Sequence, residues 1–224
     1  MMATKKLVRK AAPKTAAPKK AAPKKVLKDK DVTTNILLSG VGGQGAILAS
    51  NVLAQVFVEK GYDVKKSEVH GMAQRGGDVT THFRYGKKVY SPLIKYGDVE
   101  YLLAFEELEA LRYINHVRPD AKIMINRQRI LPPAVNLGLA VYPTGAEKIF
   151  KGFFKKNVYM IDGTEIALKM GNAQATNVVM VGAFSTFFPE IKEKAWIDAI
   201  KALLPAKLHE LNVKAFYEGR KTVS

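Results

Sequence analysis

The sequence of 224 residues contains no cysteine. The chain therefore forms no disulfide, offers no thiol nucleophile and cannot hold an iron–sulfur cluster through thiolates of its own. It also lacks the roughly 18 to 20 consecutive apolar residues of a membrane span, and the apolar stretch of a secretory signal. Its four histidines are too scattered to suggest a zinc site. We therefore expect a cytoplasmic protein with no membrane span and no metal site.

Acidic residues are scarce, with 20 Asp and Glu against 36 Lys and Arg and a net charge of +16. Most of the excess lies in residues 1–30, which carry eleven Lys or Arg and one Asp, so the rest of the chain carries only +6. Proline and like charges in the repeated Ala-Ala-Pro-Lys unit predict a disordered arm over residues 1–32. A solvated arm, or one that contacts an acidic subunit, is favoured over one that binds nucleic acid.

Residues 33–224 alternate between short apolar runs and amphipathic segments, and the 47% apolar content of the chain is ample for a core. This order predicts one α/β domain, Rossmann-like and doubly wound, with a mainly parallel sheet and a helical C-terminal third. The predicted strands span 36–38, 63–69, 79–85, 89–90, 99–105, 121–126, 139–142 and 158–161. The predicted helices span 46–57, 106–115, 175–188 and 189–204, with a last helix from 205.

A glycine motif directly follows the first predicted strand. Gly40, Gly42 and Gly45 stand at the G-x-G-x-x-G spacing, Gly43 and Gln44 lie between them, and a predicted helix comes next. Such a turn lets backbone N–H groups and a helix N-terminus approach a phosphate. We expect Gly40 to permit the tight turn, Gly42 to let a ligand approach the backbone, and Gly45 to allow helix–strand packing.

The glycine motif alone leaves several interpretations open. One is a free-standing oxidoreductase that binds NAD(P) or a flavin, in which Glu68, near the end of the second predicted strand, would hold a ribose hydroxyl. Others are glycines that serve only the packing of the chain, or a contact with another subunit. We expect the predicted strand at 63–69 to complete a β-turn-α-β unit with the predicted strand at 36–38 and the helix at 46–57.

A second unusual loop begins about 25 residues after the glycine motif and combines His70, Gln74, Arg75, Gly76 and Gly77. The two glycines remove side-chain bulk and accept positive φ, so a partner group can approach closely. The arginine is suited to bind a carboxylate or phosphate with two hydrogen bonds. The histidine could act as an acid or base near neutral pH, although no partner for it is visible in the sequence. Purely structural roles for the arginine and the histidine remain open.

Two charged clusters are expected to be structural rather than catalytic. Three acidic residues should lie in the first turn of a helix, where the helix dipole favours negative charge: Glu106, Glu107 and Glu109. Four lysines should lie on a solvated face rather than opposite a phosphate: Lys148, Lys151, Lys155 and Lys156. The sequence contains no Ser/His/Asp order, no P-loop and no metal-binding motif.

Four segments together resemble the gamma domain of 2-oxoacid:acceptor oxidoreductases. Within that family the sequence is most similar to beta subunits of indolepyruvate ferredoxin oxidoreductases. The resemblance covers about residues 34–215, and its histidine–arginine loop is far more specific than its glycine turn. The segments are 40–45, 67–77, 90–94 and 105–112.

The resemblance implies a non-redox subunit of an enzyme that converts a 2-oxoacid and coenzyme A to acyl-CoA and CO2. Electrons pass to ferredoxin or another acceptor, such as a flavin subunit. Thiamine diphosphate, magnesium and the iron–sulfur clusters would belong to larger catalytic partners, so the isolated chain should be inactive. Coenzyme A would border this chain at ten residues: Gly40, Gly42, Gly43, Gln44, Gly45, His70, Gln74, Arg75, Gly76 and Gly77.

Overall fold

The computed structural model describes residues 33–70 and 76–223. The predicted arm at 1–32 and the loop residues 71–75 lie outside this range. The six strands of the described part are β1 (Thr34–Val41), β2 (Asp63–His70), β3 (Asp78–Gly86), β4 (Val99–Ala104), β5 (Val117–Asn126) and β6 (Val158–Ile161). They form one sheet in the order β2-β3-β1-β4-β5-β6.

The predicted parallel sheet is confirmed for four of these strands. β4 pairs with β1, β5 with β4 and β6 with β5, each in parallel. β1 lies in the middle, and all eight of its residues are buried. Because the four strands run in the same direction, the chain segments that follow them meet at one edge of the sheet, which we call the carboxyl edge. Ligands of open α/β sheets bind at this edge.

The predicted β-turn-α-β unit is wrong, because β2 does not lie beside β1. β2 and β3 form an antiparallel hairpin, and β3 pairs with β1, also antiparallel. β3 takes the inner position because Phe83 and Tyr85 pack on Phe57, with ring centroids 5.9 and 3.9 Å apart. β2 has no fully buried residue, and polar side chains such as Lys65 suit the sheet edge.

Helices cover both faces of the sheet, as a doubly wound fold requires. They are α1 (Ala46–Glu59), α2 (Glu107–Arg112), α3 (Pro133–Asn136), α4 (Ala146–Phe154), α5 (Gly163–Lys169), α6 (Thr176–Ser185), α7 (Glu193–Leu203) and α8 (His209–Lys221). Leu38 lies in a core formed with α1, α6, α7 and α8, whereas Leu37 lies in a second core with residues of α2 and α4. Among the described residues, no helix is long and apolar enough to cross a bilayer.

α6 lies within the helix predicted at 175–188, whose sequence is apolar on nearly all sides, and all ten residues of α6 are buried. It crosses α8 with the two backbones in close contact. A Cβ atom at Gly182 would lie 2.1 Å from the carbonyl oxygen of Phe216, and a Cβ atom at Gly219 would lie 1.9 Å from that of Val179. The two glycines therefore make this helix crossing possible.

The strands predicted at 89–90 and 139–142 are wrong, because their backbone donors are bonded elsewhere. The N–H of Val89 donates to a carboxylate oxygen of Asp63 over 2.9 Å. The N–H groups of Leu139 and Ala140 both donate to the carbonyl of Ala134, over 2.8 and 3.2 Å, which ends the short helix α3 in a turn. Apolar content alone does not reveal such local bonds.

The crossing of α6 and α8 predicts that Gly182→Ala lowers the free energy of unfolding by about 1–3 kcal/mol, since the added methyl overlaps the backbone of α8. Urea unfolding of the full chain measures this change. Gly152→Ala is the control, because a Cβ atom there has nothing within 4 Å and alanine stabilises a helix by up to about 1 kcal/mol relative to glycine. Equal unfolding midpoints for the two variants would contradict the prediction.

Candidate functional site

The glycine turn, residues 42–45, links β1 to α1 at the carboxyl edge of the sheet. Gly43 and Gly45 have φ values of 103° and 80°, which favour glycine. Gly45 is the N-cap of α1, and no side chain caps this helix end. The first amide groups of α1 therefore have no side-chain acceptor, and a helix N-terminus in this state attracts anions.

The motif glycines meet different surroundings. A Cβ atom at Gly40 would lie 3.0 Å from Cβ of Phe105, and one at Gly45 would lie 2.2 Å from Nδ2 of Asn177. Gly40 thus lies within β1 and permits packing there rather than the turn, and Gly45 packs on α6 rather than on a strand. A Cβ atom at Gly43 would have nothing within 4 Å, so this glycine leaves open space.

The side chain of Gln44, expected at the ligand, is bonded to the chain itself. Its Oε1 accepts a hydrogen bond from the N–H of Val41 over 2.7 Å. Its Nε2 donates to the carbonyl of Phe105 over 2.9 Å and to Oε1 of Gln128 over 2.8 Å. These bonds use both amide protons. Gln44 therefore joins the segments that follow β1, β4 and β5, and it shapes the turn instead of projecting from it.

Three further polar residues complete this network, and the sequence analysis missed them. Asn126, at the end of β5, donates from Nδ2 to the carbonyl of Phe105 over 3.1 Å and to the hydroxyl of Thr164 over 2.9 Å. Thr164 donates in turn to Oε1 of Gln128 over 3.0 Å. Polar residues placed directly after buried strands were the sequence signal that could have identified them.

The histidine–arginine loop meets the glycine turn through the backbone. The N–H of Gly42 donates to the carbonyl of Gly77 over 2.8 Å, and the N–H of Gly76 donates to the carbonyl of Gly42 over 3.4 Å. His70 ends β2 and is exposed. Gln74 and Arg75 lie outside the described residues. The structure therefore brings together the described parts of the two motifs, which the sequence separates by about 30 residues.

Two clefts lie on either side of the glycine turn. The first, of about 590 Å³, extends from the turn to the starts of α6 and α8, and we call it the amide cleft because six carboxamide side chains line it: Gln44, Gln128, Asn172, Gln174, Asn177 and Asn212. The second, of about 280 Å³, is lined by His70 and by apolar residues such as Val41, Ile47 and Val79. Both clefts include backbone of the turn.

Glu68 does not occupy the position expected of a ribose-binding acid. Because β2 lies at the sheet edge, two strands from β1, Glu68 does not lie beside the glycine turn in the way that a dinucleotide fold requires. Its carboxylate accepts hydrogen bonds from Lys66 over 2.5 Å and from Ser50 over 3.3 Å. The structure thus removes one support for the NAD(P) or flavin interpretation.

The acidic cluster lies at the N-terminus of α2, as predicted. Glu106 is the N-cap of α2 and accepts from the N–H of Glu109 over 2.9 Å. Its other oxygen accepts from the N–H of Ile130 over 3.0 Å and from the hydroxyl of Tyr142 over 2.5 Å. Burial and this carboxylate raise the pKa of Tyr142, which therefore remains a donor. Glu106 fixes the segment that carries Gln128 and Ile130 to the amide cleft.

Two basic residues near α4 share one carboxylate. The four lysines predicted to lie on a solvated face are all exposed: Lys148, Lys151, Lys155 and Lys156. Arg127 and Lys151 both bind Glu147, over 2.7 and 2.6 Å, which lowers the pKa of that carboxyl. Within the described ranges, no group of three or more His, Asp or Glu is placed to hold a metal ion.

Comparison with known proteins assigns the class. The chain matches the pyruvate ferredoxin/flavodoxin oxidoreductase family over residues 35–222 and belongs to it. Among curated relatives it is 39% identical over 191 residues to the indolepyruvate oxidoreductase subunit IorB of Thermococcus kodakarensis, which covers 84% of this chain and 94% of the relative. It is 27% identical over 191 residues to the pyruvate/ketoisovalerate oxidoreductases common subunit gamma of Pyrococcus abyssi, covering 82% and 94%.

Two solved structures share the fold. The gamma subunit of keto/oxoacid ferredoxin oxidoreductase from Geobacter sulfurreducens superposes with a TM-score of 0.63 at 20% identity, over 85% of this chain and 98% of that one. The 2-oxoglutarate:ferredoxin oxidoreductase of Magnetococcus marinus, solved with 2-oxoglutarate, coenzyme A and succinyl-CoA, superposes with a TM-score of 0.65 at 18% identity. That match covers 87% of this chain but 31% of that one.

The bonds of Gln44 predict that Gln44→Leu destabilises the fold, by about 1–3 kcal/mol for each buried group left without a partner. Gln55→Leu is the matched control, because Gln55 makes only a helix-surface bond to Glu59 over 2.8 Å and its loss changes stability by about 0.5 kcal/mol at most. Chemical denaturation of the full chain compares the two. Similar unfolding free energies would show that Gln44 does not hold the turn.

Proposed function

We propose that the chain is the non-redox subunit of a thiamine-diphosphate-dependent 2-oxoacid:ferredoxin oxidoreductase of the indolepyruvate type. The enzyme would convert an arylpyruvate or arylglyoxylate and coenzyme A to acyl-CoA and CO2, with electrons passing to ferredoxin or another acceptor. The 39% identity to an indolepyruvate oxidoreductase subunit, over most of both chains, supports this proposal. The free-standing NAD(P) or flavin enzyme is the weaker alternative, since Glu68 is bonded at the edge strand.

The redox groups would be held by partner subunits. The sequence contains no cysteine, so thiolate ligands for iron–sulfur clusters come from other chains. The resemblance to the family implies that thiamine diphosphate and its magnesium ion also lie on partner subunits. We therefore assign thiamine diphosphate, magnesium and the clusters to larger catalytic partners, and binding and assembly to this chain.

The observation that carries the proposed role is the joining of the two motifs at the carboxyl edge. The uncapped N-terminus of α1 offers backbone N–H groups to an anion. The hydrogen bonds between Gly42 and both Gly76 and Gly77 attach the arginine loop to this turn. Arg75 directly precedes Gly76 in the sequence, and we assign its guanidinium to the same ligand. Coenzyme A has several phosphates, which this combination suits.

Arg75→Ala in the assembled enzyme is expected to raise the KM for coenzyme A about tenfold or more, because a charge-assisted bond to a phosphate is lost. The kcat at saturating coenzyme A should change little. Steady-state kinetics with coenzyme A as the varied substrate measure both values.

The matched control is Arg118→Ala. Arg118 lies near the start of β5, at the amino ends of the parallel strands and away from the carboxyl edge. It pairs with Asp120 and Glu100. This variant should keep the wild-type KM for coenzyme A. If Arg75→Ala assembles normally and its KM is also unchanged, the arginine loop does not border the coenzyme A site.

The loop 89–96 is the surface that we assign to assembly. Its large side chains have high exposed fractions, which are 90% for Tyr90, 60% for Leu93 and 77% for Tyr96. A match over 31% of the Magnetococcus marinus chain indicates that the same module can be one part of a larger oxidoreductase polypeptide. Exposed aromatic groups of this kind are typical of the energetic centres of protein interfaces.

Hydrogen bonds and a ring contact hold this loop against the rest of the fold. A guanidinium nitrogen of Arg84 donates to the carbonyl of Ser91 over 2.8 Å. His82 accepts from the N–H of Ile94 over 3.1 Å, and its pKa is lowered by burial and by His116, which keeps the ring neutral. Tyr96 stacks on His116 with ring centroids 4.0 Å apart. Such preorganisation lowers the entropy cost of association.

Tyr90→Ser should weaken binding of the chain to its catalytic partner, raising the Kd about tenfold or more if the ring lies at the centre of the interface. The association of separately purified subunits, followed by analytical ultracentrifugation, gives this constant. Tyr217→Ser on α8 is the control, because that ring is only 38% exposed and lies far along the chain from the loop. Equal dissociation constants for both variants and the wild type would show that the loop is not part of the interface.

A further inference from the structure

The amide cleft has a polar lining without charge. Of the described residues that line it, none carries an ionisable side chain. Its polar groups are carboxamides and threonine hydroxyls, and its apolar surface comes from leucine and isoleucine. A cleft of this chemistry lies directly beside the turn to which we assign phosphates, yet it has no cation that would receive one. It is therefore suited to an uncharged part of a ligand.

Asn177 is a largely buried residue whose amide donor has no partner among the described residues. This residue, in the first turn of α6, is only 6% exposed. Its Oδ1 accepts from the N–H of Val178 over 2.8 Å, which fixes the orientation of the amide. Nδ2 therefore points the other way, toward Gly45 and the cleft. No described residue accepts a hydrogen bond from this Nδ2, which is therefore free to donate to a ligand in the cleft.

Asn212 and Gln128 offer complementary groups. Asn212 of α8 is also 6% exposed, and its Nδ2 donates to the carbonyl of Leu208 over 2.8 Å. Oδ1 of the same amide therefore points in the other direction, and it receives no hydrogen bond from the described residues. Oε1 of Gln128 is used within the network, but its Nε2 donates to none of them. The cleft thus presents oriented donors and an oriented acceptor.

We propose that the amide cleft binds an uncharged group in which a hydrogen-bond acceptor lies beside a donor. Two parts of coenzyme A share this chemistry: the edge of the adenine base, which carboxamides bind with paired hydrogen bonds, and the amides of the pantetheine arm. The inference rests on the proposed role in coenzyme A binding. It assigns the neutral part of the ligand to Asn177 and Asn212, and the phosphates to the glycine turn.

The test replaces Asn177 in two ways in the assembled complex. Asn177→Asp keeps an oxygen for the N–H of Val178, and a negative charge is favourable in the first turn of a helix, but the free donor is lost. Asn177→Leu removes the donor without adding charge. Equilibrium dialysis with coenzyme A, adenosine 3′,5′-bisphosphate and pantetheine measures three dissociation constants without relying on turnover.

Both variants should raise the Kd for coenzyme A about tenfold. In Asn177→Leu, the Kd of one fragment should rise by a similar factor: that of adenosine 3′,5′-bisphosphate if the cleft holds the base, or that of pantetheine if it holds the arm. Asn157→Asp is the control for charge, since Asn157 lies just before β6, at the amino ends of the parallel strands, and its side chain donates to the carbonyl of Asp120 over 3.3 Å. This variant should bind all three ligands as the wild type does.

Wild-type affinities for all three ligands in both Asn177 variants would overturn the inference. That result is distinguishable from failure of the proposed function. If Arg75→Ala raises the KM for coenzyme A while the Asn177 variants bind normally, only the assignment of the amide cleft is wrong. If Arg75→Ala also leaves the KM unchanged, coenzyme A does not bind at this edge.

Discussion

The three hydrogen bonds of the Gln44 side chain determine the shape of the whole carboxyl edge. They join the end of β1 to the segments after β4 and β5, through Val41, Phe105 and Gln128. Because this side chain is occupied, the turn presents backbone rather than side chains to its surroundings. Gln128 is held in the same network, which places its free amide group at the amide cleft. The packing of the turn and the chemistry of the cleft therefore have a common origin.

The binding roles that we propose separate the recognition of charged groups from that of neutral groups. The turn and the uncapped start of α1 offer N–H groups suited to phosphate. The amide cleft, which lies against Asn177 and Asn212, offers fixed donors and an acceptor without charge. A ligand that is highly charged at one part and amide-rich at another is matched by both.

The sequence predicted those features that depend on local patterns. The buried strand before the glycine motif, the helix after it, and the acidic N-terminus of α2 follow from hydrophobic spacing and capping. The antiparallel position of β3 did not follow, because strand order depends on contacts such as that between Phe57 and Tyr85, far apart in the chain. The unbonded Nδ2 of Asn177 and Oδ1 of Asn212 could not be predicted either, since only the folded chain reveals which of their atoms are already bonded.

A structure of the assembled complex with coenzyme A bound tests the central claim most directly. The account predicts that phosphate oxygens lie within hydrogen-bond distance of the backbone N–H groups at Gly42–Gly45, and that loop 89–96 contacts a catalytic subunit. Coenzyme A held entirely by other subunits, with the glycine turn covered by protein, would contradict it. In that case the turn would serve assembly and not ligand binding.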